Sequence, residues 1–254
     1  MPNLLVLAGP NGAGKSTSAP EILTGTRQVD EFVNADVIAR DQGLSDVAAG
    51  RQTLARLEAL AAAGRDLAFE TTLASRMLLP RIQAMQAVGY VFQLNFFWLP
   101  NADMAVERVA RRVAAGGHSI PQDVIRRRYD RGLDNLFNSY LPAADTWVVV
   151  DNTSRPGRPI AWREVGAGIH VLDNGLWNHL VSRYMKPRAE QTQAPVRDAA
   201  EIERLRRIFD PEDIVAAVNR AVTEAVRRHK ERGESIVIWR DGKVVVVPPE
   251  EIDV

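Results

Sequence analysis

The sequence lacks cysteine altogether, has little lysine and contains no long apolar run. Without cysteine the chain can form neither a disulfide framework nor a thiolate metal site, and it has no thiol nucleophile. Lysine occurs only at Lys15, Lys186, Lys230 and Lys243, so arginine carries most of the positive charge. No apolar stretch approaches the length that a membrane-spanning helix needs. These absences lead us to expect a cytoplasmic protein with no membrane partner.

An excess of charge of either sign is also missing, because 32 basic and 32 acidic residues give a formal net charge of zero. Proteins that bind nucleic acid without specificity usually carry a surplus of lysine and arginine, so we expect no nucleic-acid partner. A hydrophobic fraction of 46% over 254 residues is typical of a soluble protein with one or two domains. Since the first apolar segment begins at Leu4, we also expect no signal peptide.

Residues 9–17, GPNGAGKST, match the phosphate-binding pattern G-x-x-x-x-G-K-[ST] in full. The loop follows an apolar run at residues 4–8 that is typical of a buried strand, and it precedes a segment that can open a helix. Its glycines allow the backbone N–H groups to point at an anion, and the helix N-terminus adds partial positive charge. We therefore predict that ATP binds to Gly9, Pro10, Asn11, Gly12, Ala13, Gly14, Lys15, Ser16 and Thr17.

Two side chains of this loop have predicted roles of their own. Lys15 can reach the outer phosphates of ATP and neutralise their charge, so we expect it to be catalytic. The Ser16 hydroxyl can bind the Mg²⁺ that accompanies the nucleotide, which makes Ser16 the predicted metal ligand. ATP and Mg²⁺ are therefore the predicted cofactors.

Buried apolar runs alternate with helical patterns over the first 150 residues. This alternation predicts an α/β fold with a five-stranded parallel sheet that has helices on both faces. The predicted strands are residues 4–8, 31–34, 66–72, 90–99 and 146–151. The predicted helices are residues 16–23, 46–63, 78–88, 104–114 and 122–140, and a polar stretch at residues 40–45 leads into the second of them.

The pattern changes after residue 155. Residues 160–173 predict a β-hairpin and residues 176–184 a short helix, after which a polar stretch with two prolines predicts a linker at residues 186–194. Two helices at residues 198–209 and 212–231 follow, and then β-rich runs that flank Asp241-Gly242, a strong hairpin signal. We divide the chain into a phosphate-loop domain, residues 1–185, and a C-terminal helical and β-hairpin extension, residues 196–254.

Polar side chains follow the carboxyl ends of the predicted strands, where open parallel sheets bind their ligands. Asn34 and Asp36 follow the second strand, and Glu70 and Thr72 end the third. One acidic residue can accept the proton of an attacking hydroxyl, and another can organise Mg²⁺ or its waters. We predict that Asp36 is the base and that Glu70 serves the metal, while Asn34 and Thr72 help bind the substrate. An alternative role for Asp36 is that of a helix N-cap.

Arginines lie on both sides of a Gly-Gly loop at residues 116–117. Two helices that carry arginines and are joined by a glycine hinge are typical of a lid that closes over a triphosphate. Only part of each cluster can face inward, because neighbouring side chains on a helix diverge by about 100°. We predict that Arg112 and Arg128 are catalytic, with Arg127 as a rival of Arg128.

Taken together, these segments resemble the zeta-toxin family of phosphate-loop kinases over roughly residues 2–152. The resemblance is carried by GPNGAGKST at residues 9–17, FVNAD at 32–36, FETTL at 69–73 and RRVAAGGHSIPQDVIRRRYDRGLDNL at 111–136. It implies a nucleotide-kinase-like fold and a phosphotransferase that moves the γ-phosphoryl group of ATP to a hydroxyl of a small molecule. The typical acceptor in the family is UDP-N-acetylglucosamine.

The resemblance also implies roles for individual residues. Lys15 and Ser16 would hold ATP and Mg²⁺, Asp36 would be the base, and Glu70 and Thr72 would shape the acceptor site. Lid arginines, Arg112 and Arg128, would clamp the triphosphate. Because members often act as toxins held in check by a second protein, an antitoxin is a further expected partner.

Two other functions fit parts of the sequence. GPNGAGKST is also typical of ABC-type ATPases, but the chain has no LSGGQ-like signature and no apolar run that ends in Asp-Glu. A binding module without catalysis would use the hairpin at residues 236–247 as its interaction edge. Intact Lys15, Ser16 and Asp36 disfavour that module, and we therefore favour the kinase.

Overall fold

A seven-stranded sheet organises the protein, as seen in a computed structural model that describes residues 1–25, 29, 31–154, 157–187, 198–206, 209–240 and 243–253. The strands are β1 (Asn3–Ala8), β2 (Glu31–Val33), β3 (Leu67–Thr71), β4 (Val91–Trp98), β5 (Thr146–Asp151), β6 (Arg158–Arg163) and β7 (Ile169–Val171). They lie in the order β2-β3-β1-β4-β5-β6-β7. The first five strands are parallel, and β6 and β7 run antiparallel to their neighbours.

Helices connect these strands and continue beyond them. They are α1 (Lys15–Gly25), α2 (Ala35–Gln42), α3 (Asp46–Ala62), α4 (Leu79–Ala87), α5 (Ala102–Ala114), α6 (Gln122–Asn135), α7 (Leu141–Ala143), α8 (Asn174–Tyr184), α9 (Ala199–Arg206) and α10 (Pro211–Glu231). A separate hairpin of β8 (Ile236–Arg240) and β9 (Lys243–Val247) follows, and a 3₁₀ turn at Pro249–Glu251 comes last. Within the described parts of the chain, no helix is both long enough and apolar enough to cross a membrane.

The parallel part of the sheet confirms the predicted fold class. Every residue of β4 is buried, as are residues 4–8 of β1, which explains why β1 is apolar at these positions and why β4 is apolar except at Gln93 and Asn95. A parallel strand covered on both faces has no solvent side that would require polar residues.

The predicted number of five strands is wrong, because the hairpin predicted at residues 160–173 joins the sheet. Its first strand, β6, pairs antiparallel with β5, where Asp151 lies opposite Arg158. The sequence identifies a hairpin by its local pattern, but the edge with which the hairpin pairs is decided by packing. The sheet is therefore mixed, with an antiparallel pair at one side.

Two further local predictions are corrected. The polar stretch predicted at residues 40–45 is in part helical, because residues 40–42 belong to α2. This helix has only eight residues and buries none of them, although Ile38 packs against the core. The helix predicted for residues 122–140 ends as an α-helix at Asn135 and continues as a π-helical turn, Leu136–Tyr140. The predicted hairpin turn at residues 241–242 and most of the predicted linker, residues 188–194, lie outside the described residues.

The C-terminal helix α10 packs directly on α1, the helix that follows the phosphate loop. Its buried side chains, among them Ile214, Val218 and Val222, belong to the same hydrophobic core as the central sheet. β8 and β9 contribute to a smaller cluster in which Val226 of α10 contacts Val247. The extension therefore lies beside the phosphate loop, while the division of the chain into two domains stays a prediction.

Gly132 allows α6 to pack closely against the chain that leaves β3. A methyl group at this position would lie 2.5 Å from the carbonyl oxygen of Thr72. We expect Gly132→Ala to lower the free energy of unfolding by about 1–3 kcal/mol, because overpacking outweighs the better helix propensity of alanine. Urea denaturation measures the change.

The matched control is Gly50→Ala in α3, where no atom lies within 4 Å of the added methyl group. There the helix propensity acts alone, and we expect a gain of about 0.5–1 kcal/mol. A stabilised Gly132→Ala variant would contradict the packing that we describe.

Candidate functional site

A cleft of about 640 Å³ opens over the phosphate loop. Three parts of the chain line it: the phosphate loop with nearby strand ends, the end of α5 with its lid loop, and the C-terminal segment. The lining residues are Asn11, Gly12, Gly14, Lys15, Ser16, Thr17, Asp36, Glu70 and Asn152; Arg108, Arg111, Arg112 and residues 114–117; and Val222, Ala225, His229, Arg232 and residues 234–237. The cleft therefore brings the predicted ATP-binding loop together with both predicted acidic residues.

The phosphate loop is held in place by contacts from two sides. Asn152, which follows β5, donates from Nδ2 to the carbonyl oxygen of Ala13 at 2.6 Å. Arg108 of α5 donates to the carbonyl oxygens of Gly12 at 3.4 Å and Thr153 at 3.0 Å. These contacts position the phosphate loop between α5 and the end of β5.

Two glycines of the loop are required by its conformation. Gly12 and Gly14 have φ angles of 74° and 89°, in the left-handed region that favours glycine. A Cβ atom at Gly14 would also lie 2.8 Å from Nδ2 of Asn152. The loop pattern therefore reflects both backbone geometry and close packing.

Lys15 is buried at the base of the cleft. Its Nζ donates to the carbonyl oxygens of Gly9 at 2.9 Å and Pro10 at 3.0 Å, and lies 3.7 Å from Oε1 of Glu70. Burial lowers the pKa of the Lys15 ammonium, and Glu70 and Asp36 act in the opposite direction. The positive charge of Arg112 lowers this pKa further. Lys15 and Arg112 thus repel one another, and an anion bound between them would relieve that repulsion.

Glu70, near the end of β3, accepts hydrogen bonds from two side chains. Its Oε2 accepts from the Ser16 hydroxyl at 2.7 Å and from Nδ2 of Asn34 at 3.0 Å. The Ser16 hydroxyl and the Glu70 carboxylate thus lie side by side, and both are oxygen ligands of the kind that Mg²⁺ prefers. The described residues contain no cluster of three or more acidic, histidine or cysteine side chains that could hold a metal by themselves. This arrangement fits Mg²⁺, which usually takes its other ligands from phosphates and water.

Asn34 determines how Asp36 enters the cleft. Oδ1 of Asn34 accepts from the backbone N–H groups of Asp36 at 2.9 Å and Val37 at 3.4 Å, which makes Asn34 the N-cap of α2. The alternative that Asp36 caps the helix is therefore wrong. Asp36 lies in the first turn with an exposed side chain, and it lines the cleft. It can contact a molecule that enters from solvent.

The structure separates the two predicted lid arginines. Arg112 lines the cleft and donates to the carbonyl oxygen of His118 at 3.0 Å, which ties the lid loop to α5. Arg128 is half-buried on α6 and is not one of the described residues that line the cleft. Its rival Arg127 approaches Asp123 to 3.9 Å on the same helix. A catalytic role for Arg128 stays a prediction.

Two arginines that were not selected from the sequence also line the cleft. Arg108 and Arg111 are one helical turn apart, and together with Arg112 they form one face of α5. The i, i+3, i+4 spacing of these residues was the signal that could have identified this face.

Thr72, the last predicted substrate residue, is not among the described residues that line the cleft. Directly after it, Leu73 is buried and has a φ angle of 57°, which is unusual for a residue with a side chain. Asn135 of α6 donates to the Leu73 carbonyl oxygen at 2.7 Å and so supports this bend. A substrate contact by Thr72 stays a prediction.

The sequence analysis missed the C-terminal wall of the cleft. Val222, Ala225 and His229 of α10 line it, as do Arg232 and residues 234–237. No motif marks these residues, and only the packing of α10 on α1 brings them to the phosphate loop.

The chain resembles known proteins in sequence and in fold. No protein-family model matches the chain. An uncharacterized protein of Haemophilus influenzae strain Rd is 25% identical over 127 residues, which cover 48% of this chain and 88% of that protein.

Among solved structures, the AvrRxo1-ORF1:-ORF2 complex with ATP contains a chain that matches with a TM-score of 0.54 and 15% identity. The match covers 88% of the present chain and 76% of the other. The two chains therefore share their α/β fold. The likeness confirms the fold class predicted from the phosphate loop and its flanking strands.

A chain of the PezAT chromosomal toxin-antitoxin system of Streptococcus pneumoniae also matches, over 88% of the present chain and 87% of the other. Its TM-score is 0.49 and its identity 13%.

Proposed function

We propose that the protein is a zeta-toxin-like kinase that transfers the γ-phosphoryl group of ATP to a hydroxyl of a small molecule. The observation that carries the proposal is the convergence of Lys15, Ser16, Asp36 and Glu70 on one cleft. A phosphate loop alone would suit many nucleotide-binding proteins. A loop faced by two carboxylates, one tied to Ser16 and one exposed, has the groups that phosphoryl transfer to a hydroxyl requires.

In the proposed complex the triphosphate of ATP lies on the backbone N–H groups of the loop at the N-terminus of α1. Lys15 and Arg112 neutralise its outer phosphates, and the charge of ATP offsets the repulsion between these two cations. Ser16 and Glu70 would hold Mg²⁺, which, when bound, neutralises charge on the phosphate oxygens.

Asp36 is the proposed base. Its carboxylate accepts the proton of the acceptor hydroxyl as the hydroxyl oxygen attacks the γ-phosphorus. The bond between that phosphorus and the bridging oxygen breaks, and its electron pair leaves with ADP. Lys15 and Arg112 stabilise the negative charge that develops on the transferred group.

The proposed acceptor is a nucleotide sugar such as UDP-N-acetylglucosamine, the typical acceptor in the zeta-toxin family that residues 2–152 resemble. The proposal extends to a toxin restrained by an antitoxin protein. The AvrRxo1-ORF1:-ORF2 structure supports this extension in a general way. It contains a chain similar to the present one in a complex of two proteins, crystallised with ATP.

The test is transfer of radiolabelled phosphate from γ-labelled ATP to a panel of nucleotide sugars and nucleosides. We expect a labelled sugar product with the wild-type protein and none with Lys15→Ala. Release of free phosphate without a labelled acceptor, at a rate that the panel does not change, would contradict the kinase and favour an ATPase.

A further inference from the structure

The C-terminal segment, residues 222–237, forms one wall of the cleft over the phosphate loop. Val222 and Ala225 come from α10, and Ile236 and Val237 come from the start of β8. Its polar members include His229 and Glu234, whose side chains are hydrogen bonded at 2.7 Å. The wall therefore combines apolar side chains, an aromatic ring and a few polar groups, as sites for small organic ligands usually do.

The direction of a triphosphate on the loop can be inferred from the residues at its two sides. Its γ-phosphate must face Asp36 and Glu70, because the acceptor base and the metal-binding residues lie there, after β2 and on β3. β2 and β3 lie on one side of β1 in the sheet, and β4 and β5 lie on the other. The nucleoside must then extend away from β2 and β3, past Thr17 and Asn152.

α10 reaches the cleft beside the start of α1. Where α10 packs on α1, Arg220 approaches Glu21 at 3.9 Å. The next residues of α10 include Val222 and Ala225, which line the cleft over the phosphate loop. At the other end of α10, Lys230 donates to the carbonyl oxygen of Ile252 at 2.7 Å. β8 also contacts α5, the helix that carries the lid arginines. Asn219, three residues before Val222, lies on the Asn152 side of the loop, since a Cβ atom at Gly157 would be 3.2 Å from Oδ1 of Asn152 and 3.4 Å from Oδ1 of Asn219. The segment therefore begins on the side where the nucleoside would emerge from the loop.

We propose that residues 222–237 form the nucleoside end of the ATP site and bind the base and ribose between α10, β8 and the arginine face of α5. The inference rests on the proposed function, since it requires that the loop binds ATP. The apolar side chains of Val222, Ala225 and Ile236 cover the faces of the base. The His229 ring, held by Glu234, offers a second flat surface to the nucleoside.

The test compares ATP with inorganic tripolyphosphate, which has the phosphates but no nucleoside. Ala225→Tyr and Ser235→Tyr each place a ring in the C-terminal wall, from α10 and from the turn before β8. We expect each variant to raise the Kd for ATP at least about tenfold, equivalent to about 1.4 kcal/mol, and to leave tripolyphosphate binding unchanged. Isothermal titration calorimetry with full-length protein measures both ligands.

The matched control is Ala216→Tyr, which adds the same ring to an exposed alanine of α10. It should change neither Kd, and unchanged tripolyphosphate binding by the test variants shows that their loops remain folded. An unchanged Kd for ATP in both test variants would overturn the inference and leave the proposed function standing. Equal weakening of ATP and tripolyphosphate would also overturn it, because the effect would then act on the loop. A wild-type protein that binds neither ligand would overturn both proposals.

Discussion

Lys15→Ala is expected to reduce phosphoryl transfer by about 10³-fold, the loss that usually follows removal of one group that stabilises the transition state. Lys15 is the buried cation of the cleft, and its Nζ lies between the loop carbonyls and Glu70. Without it, the outer phosphates lose the buried cation nearest to the loop, and Arg112 and the bound metal would have to oppose their charge. We also expect ATP to bind about 10- to 100-fold more weakly, since a charged hydrogen bond contributes about 1.5–3 kcal/mol. Rates come from the radiolabel assay and affinities from calorimetry.

Lys186→Ala is the matched control for this loss. Lys186 forms an ion pair with Asp134 at 3.0 Å, and nearly half of its side chain is exposed, so it contributes little to stability. Transfer should stay at the wild-type rate in this variant. Undiminished transfer by Lys15→Ala, in protein that circular dichroism shows to be folded, would remove Lys15 from the mechanism.

Asp36→Asn is expected to lower transfer by about 10²- to 10⁴-fold, the range that a general base contributes. Asparagine has nearly the same shape as aspartate but cannot take up the proton of the acceptor hydroxyl. α2 should form as before, because its N-cap is Asn34 and the cap accepts from the backbone of residue 36. The affinity for ATP should change little, since Asp36 faces the acceptor end of the cleft. The experiment measures single-turnover transfer and the Kd for ATP on one preparation.

Asp41→Asn provides the control, because it removes a carboxylate from the same helix. Asp41 is exposed and pairs with Arg40 at 2.9 Å, and it does not belong to the described lining of the cleft. If Asp41→Asn and Asp36→Asn slow transfer alike, the loss reflects the charge of α2 and not a base. If Asp36→Asn keeps full activity, another group takes the proton.

These two variants separate the roles that we propose for two residues of the cleft. Loss of Lys15 should affect ATP binding and transfer together, whereas loss of the Asp36 carboxylate should affect transfer alone. In contrast to Asp36→Asn, substitutions in the C-terminal wall should weaken ATP binding, because they displace the nucleoside of ATP. The three patterns distinguish a phosphate contact, a proton acceptor and a nucleoside contact within one cleft.

The phosphate loop and the strands that flank it could be predicted from the sequence, whereas the order of the strands in the sheet could not. The pattern at residues 9–17 predicts a loop between strand and helix, and the contacts of Lys15 agree with that prediction. Residues at the ends of parallel strands meet at one edge, which is why Asp36 and Glu70 could be placed in one cleft from sequence. Local patterns were sufficient here because each depends on residues close together in the chain.

Features that depend on long-range packing could not be predicted from local sequence patterns. α2 has only eight residues and buries none of them, so no long apolar stripe marks it in the sequence, and a hairpin does not reveal the edge that it joins. Arg112 and Arg128 both flank the Gly-Gly loop in the sequence, but of the two only Arg112 belongs to the described lining of the cleft.

The C-terminal wall illustrates the difference most clearly. The sequence determined that α10 and the β8–β9 hairpin exist, through apolar periodicity and the Asp-Gly turn signal. It did not determine that Ala225 and His229 line the same cleft as Lys15, more than 200 residues earlier in the chain. That proximity arises because the buried face of α10 is covered by α1, and burial of apolar surface depends on shape and area, not on any motif. Only the tertiary structure could decide it.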